Sequence, residues 1–446
     1  MDSTPKSIVI IPQIPEPTNK IPSPLITRFS LSNTTPYFFK DGQTVQQRTL
    51  NSTNPPRYSV KEFIKAGPRS NLRRNGESIV AAIATCGGLC PGLNVCIYTI
   101  YQTLKNDYKA KTVYGIFDGY KGFTDDSYWV ELNEVNTYDK FNQPGTFLRS
   151  SRGKQDMNVI LKNLVKHGVN TVFVIGGEGT HFGAQTLQKT INEANLDISV
   201  AAIPKTIDND IPVIDQSFGH ATAIDIGVQA IHNVYTEVQS IECCLGIVKV
   251  MGRDTGHIAM NASLAFGNVD AVLLPEIPFE LNGPGGLLNY IYQLLLTKKR
   301  IVLVVAEGAN KNLKDGDLTN EGKDQSGNTK FGDIGLYLKS LINDYCKKQN
   351  DKRLDGFSIK YIDPSYMLRS TVPNSFDRKM CLDISSDSVH GIMAGYKGFS
   401  TAIVNGKSVY IPLNDICKTK REDVHWGKEN YQRMVRMTGQ PSFINK

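Results

Sequence analysis

Thr171-Val172-Phe173-Val174-Ile175-Gly176-Gly177-Glu178-Gly179-Thr180 is the stretch that decides the fold class. A β-branched and apolar run ends in glycines that bracket a carboxylate, and a helix is expected to open at Ala184. Short apolar runs without polar alternation suit strands covered on both faces, as in parallel sheets. Runs of this kind recur at 79–84, 112–117, 198–203, 271–274 and 301–305. Between the first two, Leu93, Ile97, Ile100, Tyr101 and Leu104 keep helical spacing. A last run, 409–413, contains Pro412 and reads as an edge strand. The expectation is an α/β chain of two Rossmann-like three-layer lobes with parallel-rich sheets. An N-terminal extension precedes them.

The chain has 446 residues, 21% of them charged and 40% hydrophobic, with 38 Gly and 21 Pro. That composition excludes a collagen, a coiled coil and a wholly disordered chain. Prolines crowd residues 1–77, which read as an extension that is ordered only where it docks. The remainder divides into 78–213 with 372–414, a nucleotide-binding lobe, and 214–371 with 415–446, a sugar-phosphate-binding lobe. The polar stretch 311–330 reads as a surface loop. Eight cysteines are too sparse for a disulfide scaffold and fit a reducing compartment. No apolar run approaches the roughly 20 residues that span a bilayer. The first residues lack a basic start, and the last carry no peroxisomal or prenylation signal. A soluble cytoplasmic protein without membrane partners is expected. The net charge of +7 is scattered rather than gathered in a stripe, which argues against nucleic acid and for small anions.

Six loops and one further cationic loop carry chemistry. Gly87, Gly88 and Gly92 lie at a strand-to-helix turn, where backbone amides can approach a phosphate. Gly177, Glu178, Gly179 and Thr180 combine glycines with a carboxylate, as a metal-bridged polyphosphate requires. Lys205, Thr206, Asp208, Asn209 and Asp210 put a cation and two carboxylates in one loop, one of which can take a proton from a hydroxyl. Met251, Gly252 and Arg253 offer a guanidinium beside a glycine. Glu307 ends another apolar run, and Tyr366 with Arg369 stand three apart. Arg149 and Arg152, before Gly153, form a further cationic loop. Singly, each has a plainer explanation: a tight turn, a helix-start glutamate, a solvated arginine. The first two cysteines, Cys86 and Cys90, find no second pair at zinc spacing. Four of the loops follow expected parallel strands and so should share one sheet edge, where open α/β sheets bind ligands. Jointly they point to Mg²⁺-assisted phosphoryl transfer from a polyphosphate to a hydroxyl on an anionic acceptor.

In this order the motifs GGLCPG (87–92), GTFLRSSRG (145–153), GGEGT (176–180), PKTIDND (204–210), MGRDTGH (251–257) and YMLR (366–369) closely resemble the 6-phosphofructokinase family. The resemblance covers roughly 78–415 and is nearest to the long-chain group of protists and plants, which has ATP- and pyrophosphate-using members. It implies that Gly87 contacts the donor and that Arg152 and Gly153 hold its phosphates. Gly177, Glu178, Gly179 and Thr180 would surround Mg²⁺ and the polyphosphate, with Glu178 at the metal, where the family usually has Asp. Asp208 would be the general base on the 1-hydroxyl of fructose 6-phosphate, assisted by Thr206 and Asp210. Met251, Gly252 and Arg253 would hold the sugar, with Arg253 also facing the transferred phosphoryl group. Glu307 would bind sugar hydroxyls, and Tyr366 with Arg369 the 6-phosphate. An allosteric homotetramer is also implied.

Donor choice turns on two positions. Pyrophosphate users resemble one another in carrying Asp where Gly179 stands and Lys where Lys205 stands. Gly179 leaves room for an α-phosphate, which favours ATP, while Lys205 can neutralise a short, highly charged donor. The pyrophosphate-dependent enzyme is the alternative. A non-catalytic regulatory subunit is a further one, although Asp208 and Arg253 are both retained. In bacterial members an arginine lies seven residues before the Met of MGR. Here that position is Cys244, so the bacterial scheme of phosphate contact and allosteric coupling does not carry over.

Overall fold

The strands Thr171–Gly176 and Ser199–Pro204 are buried along their whole length, as their uninterrupted apolar sequences require. Each fully covered Val or Ile among them contributes about 1.5–3 kcal/mol relative to exposure. A computed structural model describes residues 6–8, 20–32, 35–51, 57–313, 332–420, 423–424 and 427–445. The stretch expected as a surface loop at 311–330 lies outside the described residues from 314 onward, as do parts of the N-terminal extension.

Two units divide the chain. One comprises Met1–Thr206, Ile211–Gly219 and Ser370–Arg421. At the centre of its 10-stranded sheet, five parallel strands run in the order Phe399–Val404, Ser199–Pro204, Thr171–Gly176, Val80–Thr85, Thr112–Ile116. Numbered along the chain, that order is 5-4-3-1-2, the doubly wound arrangement. Its direction of winding reverses between Val80–Thr85 and Thr171–Gly176, and ligands bind outside the carboxyl ends of strands at such a point. The helix after the first strand, Leu93–Gln102, buries Leu93, Ile97, Ile100 and Tyr101 on its periodic face, and Leu104 continues that face into the following turn.

Lys407–Pro412 is not an edge strand. It lies between Phe399–Val404 and Arg57–Lys65, antiparallel to both. Pro412 is tolerated because it is the last residue of the strand, and the Arg57–Lys65 side pairs only with Val409 and Tyr410. There its missing N–H costs no ladder bond. Within the N-terminal stretch, Arg57–Lys65 also pairs with Thr44–Asn51. Phe63 is fully buried in a satellite core with Val404, Val409, Ile411 and Ile416.

The second unit comprises Ile207–Asp210, His220–Arg369 and Glu422–Lys446. Its four strands are all parallel, in the order Ala271–Leu273, Arg300–Ala306, Cys244–Val250, Ser358–Ile362. Leu287, Ile291 and Leu295 of helix Leu287–Thr297 and Ile334, Leu338 and Ile342 of helix Ile334–Gln349 join the core over this sheet. The four strand-end loops therefore do not share one edge. Two follow strands of the first sheet and two follow strands of the second, because their host strands pair only within their own unit.

If the N-terminal strand belongs to the folded unit, Phe63→Ala should destabilise it by about 3–5 kcal/mol. Urea unfolding followed by tryptophan fluorescence and far-UV circular dichroism measures this. An unchanged midpoint would detach residues 57–65 from the core.

Candidate active site

On the first unit, two glycine-bearing loops and the loop that begins at Lys205 start at one height, since Thr85 pairs with Ile175 and Gly176 with Pro204. The Cys86 amide donates to the Ile175 carbonyl at 2.9 Å, and the Gly87 amide to Ser151 at 3.0 Å. Ser150 Oγ donates back to the Gly87 carbonyl at 2.6 Å, and Thr85 Oγ1 to the Arg149 carbonyl at 2.7 Å. The loop carrying Arg152 and Gly153 is thereby laced to Gly87. Arg149 itself is engaged elsewhere, paired with Asp118 at 3.0 Å and stacked on the Phe117 ring. Arg152 and Gly153 are exposed, and a Cβ on Gly153 would meet nothing within 4 Å.

The helix after Thr171–Gly176 starts at Glu178, six residues before the expected Ala184, and runs to Glu193. Glu178, Gly179 and Thr180 are thus its first turn, and its N-cap, Gly177, supplies no side-chain cap. Helices such as Met157–Lys166 and Ile334–Gln349 are capped by aspartate side chains instead. An uncapped N-terminus presents amide donors and the positive end of the helix dipole to an anion. Space is available there: a Cβ on Gly179 would meet nothing within 4 Å. Gly176 is different, because a Cβ there would lie 2.1 Å from Thr180 Oγ1. The Thr180 side chain is accordingly turned inward and its amide donates to Gly177 at 3.0 Å, so this residue shapes the turn rather than facing a ligand.

Lys205 is buried, and its ammonium donates to the Gly88 carbonyl at 2.7 Å. A Cβ on Gly87 would lie 3.4 Å from that Nζ, and one on Gly177 would lie 3.5 Å from the Lys205 carbonyl. The glycines of two loops and the lysine of the third are therefore neighbours. Thr206 accepts Ser217 Oγ on its carbonyl at 2.7 Å. His181 is held between the Gly177 carbonyl at 2.9 Å and Ser400 Oγ at 3.0 Å. Burial pulls it down to about 4, so it stays neutral and positions the turn.

On the second unit, Asp208 and Asp210 are half-buried. Thr255 Oγ1 donates to the Asp208 carbonyl at 3.3 Å, and His257 Nδ1 lies 3.2 Å from it. His220 Nδ1 reaches the Ile207 carbonyl at 2.6 Å. These contacts hold the main chain at the base candidate. The loops after Cys244–Val250 and Arg300–Ala306 interlock. The Gly308 amide donates to Gly252 at 3.1 Å, and a Cβ on Gly308 would collide with the Arg253 carbonyl at 1.9 Å. Met251, Arg253 and Glu307 are thereby fixed side by side. Burial raises the pKa of Glu307, opposed by the cations Arg253, Lys249 and Arg369 and by the Gly252 amide. Arg369 stacks over the Tyr366 ring at 5.1 Å. Its Nε, like both amide atoms of Asn310, is buried without a hydrogen-bond partner. Such atoms cost about 1–3 kcal/mol each unless something polar arrives. Cys244 is fully buried at the start of its strand.

The sequence reading gave no role to Lys249, Asn310 or the backbone-holding histidines 181, 220 and 257, which the structure places around these loops. A signal existed for one of them: Lys249 interrupts an otherwise apolar strand. Among the described residues no group of three metal-binding side chains occurs.

A sequence model of the phosphofructokinase family matches residues 80–403. The chain belongs to that family. It is 39% identical over 428 residues to ATP-dependent 6-phosphofructokinase 1 of Arabidopsis thaliana, covering 95% of this chain and 88% of the relative. To ATP-dependent 6-phosphofructokinase 7 of the same plant it is 38% identical over 444 residues, 100% and 89% of the two chains. A crystal structure of a pyrophosphate-dependent phosphofructokinase from Marinobacter aquaeolei matches with a TM-score of 0.64 at 20% identity, over 82% of this chain and 92% of that one. At that identity the likeness is one of fold.

The buried histidines set a pH dependence of stability. His181 and His220 are pulled down to about 4 and His390 to about 3 by burial. An unfolded histidine protonates near 6.5, so below that pH the unfolded chain takes protons that the native one refuses. Asp387, pushed up to about 6 by burial, works in the opposite sense between about 4 and 6. The three histidines outweigh it. Stability should be full above pH 6.5 and fall as pH drops toward 4, by on the order of 3 kcal/mol for a histidine shifted this far. Urea midpoints at about pH 7 and pH 5 check this; a midpoint that rises on acidification would contradict it.

Proposed function

We infer that this chain transfers the γ-phosphoryl group of ATP to the 1-hydroxyl of fructose 6-phosphate, giving fructose 1,6-bisphosphate and ADP. One observation carries the reading. Donor-type equipment, with open glycines and an uncapped helix start, lies at the ends of adjacent parallel strands in the first unit. Arginine–carboxylate equipment lies at the ends of adjacent strands in the second. Relatives at 38–39% identity carry the name ATP-dependent 6-phosphofructokinase.

In this reading Gly87, Arg152, Gly153, Lys205 and the first-turn amides of helix Glu178–Glu193 bind and orient the donor's phosphates. Glu178, exposed at that helix start and outside any group of three metal-binding side chains among the described residues, fits a Mg²⁺ that takes most of its ligands from phosphate and water, as this ion usually does. When bound, the ion neutralises charge on the polyphosphate oxygens. Met251, Gly252, Glu307, Tyr366 and Arg369 hold the sugar phosphate. Arg253 meets the charge that develops on the transferred group. Asp208 takes the proton from the 1-hydroxyl, with Thr206 and Asp210 steadying its loop. Alignment of this kind can supply roughly 7–11 kcal/mol of the barrier, without a covalent intermediate.

Asp208→Asn should leave fructose 6-phosphate binding intact and lower turnover by about 10²–10⁴-fold, the range of general-base catalysis. Near-normal turnover would remove Asp208 from the role. The aldolase-coupled assay with ATP in one cuvette and pyrophosphate in another decides the donor. Lys205, set against Gly87, is the observation that favours pyrophosphate; activity with pyrophosphate alone would establish it. Gly179→Asp should cut ATP-dependent turnover about tenfold or more through charge and crowding, each factor of ten being about 1.4 kcal/mol. Unimpaired use of ATP would defeat the space argument.

Cytoplasmic residence is proposed on all eight cysteines being free thiols. No helix among the described residues is long and apolar enough to cross a membrane. A homotetramer is the proposed assembly, measurable as a fourfold mass by sedimentation.

A further inference from the structure

Lys249 lies inside the apolar strand Cys244–Val250, two residues before Met251, and its side chain is only 14% exposed. Its ammonium meets two carboxylates, Asp333 at 2.6 Å and Asp363 at 2.8 Å. Each belongs to a different element. Asp333 caps helix Ile334–Gln349 through the Gly335 and Leu336 amides and accepts the Tyr361 hydroxyl at 2.8 Å. Asp363 accepts the Ser365 amide at 3.0 Å, and so starts the turn Ser365–Leu368 that presents Tyr366 and leads into Arg369. Lys249 also acts on Glu307, together with Arg253 and Arg369.

We propose that Lys249 is a positioning residue for the sugar phosphate: it neutralises Asp333 and Asp363 and pins the turn before Arg369, so that the 6-phosphate does not meet excess negative charge. The inference rests on the functional reading above. Three cations, Lys249, Arg253 and Arg369, stand against three carboxylates, Glu307, Asp333 and Asp363. Removing the ammonium tips that balance negative just where a phosphate dianion must settle. Lys249 is largely withdrawn from water, and Asp333 and Asp363 keep only 29% and 26% of their side-chain surface exposed, so the imbalance is incompletely screened. An ordinary surface lysine would give no such effect. Nor would a purely structural one single out one substrate.

The test is Lys249→Met, read by calorimetric binding of fructose 6-phosphate without donor and by the coupled assay. Kd and KM for fructose 6-phosphate should rise at least tenfold, with kcat and the KM for ATP within about twofold of wild type. The double variant Lys249→Met with Asp363→Asn should recover most of the loss, because Asn keeps the acceptor for the Ser365 amide while one charge is removed. An unchanged Kd, or equal rises in the KM of both substrates, overturns the inference. If Lys249→Met fails to fold, Asp363→Asn alone decides. It shifts the balance positive, so its Kd should be no weaker than wild type, and a tenfold weakening overturns the proposal. Wild-type protein that binds no fructose 6-phosphate overturns the functional reading and the inference with it. Wild-type binding with an unaffected variant overturns the inference alone.

Discussion

The pairing that sets Thr85 beside Ile175 and Gly176 beside Pro204 is the constraint on which the proposed donor side depends. Parallel ladders allow no freedom of height once both faces of a strand are covered, since a slip by one residue turns every side chain to the other face. Three loops, 86–92, 177–180 and 205–206, are therefore delivered to one edge together. Only then do two glycines and a lysine, far apart in the chain, come within a few ångströms of one another.

The helix starts at those loops show how local sequence serves the site. Several helices begin at Asp156, Asp333 or Asn374, whose side chains cap the first amides, while helix Leu287–Thr297 starts at the uncapping Gly286. At the loops proposed to bind the donor the chain uses Gly92 and Gly177, whose missing side chains cap nothing. The amides left over are a liability unless an anion covers them. The second unit solves a different problem. There the backbones of 252–253 and 308 approach so closely that any side chain at 308 would collide, and that contact aligns an arginine with a half-buried glutamate.

Much of this was legible beforehand, and for a physical reason. Strands covered on both faces must be apolar throughout, so 171–175 and 198–203 announced themselves. Helix Leu93–Gln102 did so by its period. Other features were hidden. Arg57–Lys65 carries Lys61, Glu62 and Lys65 among its apolar residues, and its role depends on Lys407–Pro412, more than 300 residues away, offering an unpaired side. The early start of helix Glu178–Glu193 was obscured because glycine is a poor helix former in isolation. Pro412 misled because the rule against proline in inner strands has an exception at the final residue.

Hydrophobic period and backbone sterics made the class of fold and the glycine turns readable from the residues alone, and residue identity gave the kinds of charge that a phosphoryl-transfer site needs. Motif order also carried the family. It took the folded chain to settle which loops become neighbours and to tie Arg149 to Asp118. It also turned Thr180 inward and buried Lys249 between two carboxylates. Those outcomes depend on strand pairing between residues tens to hundreds of positions apart, and no local pattern encodes them.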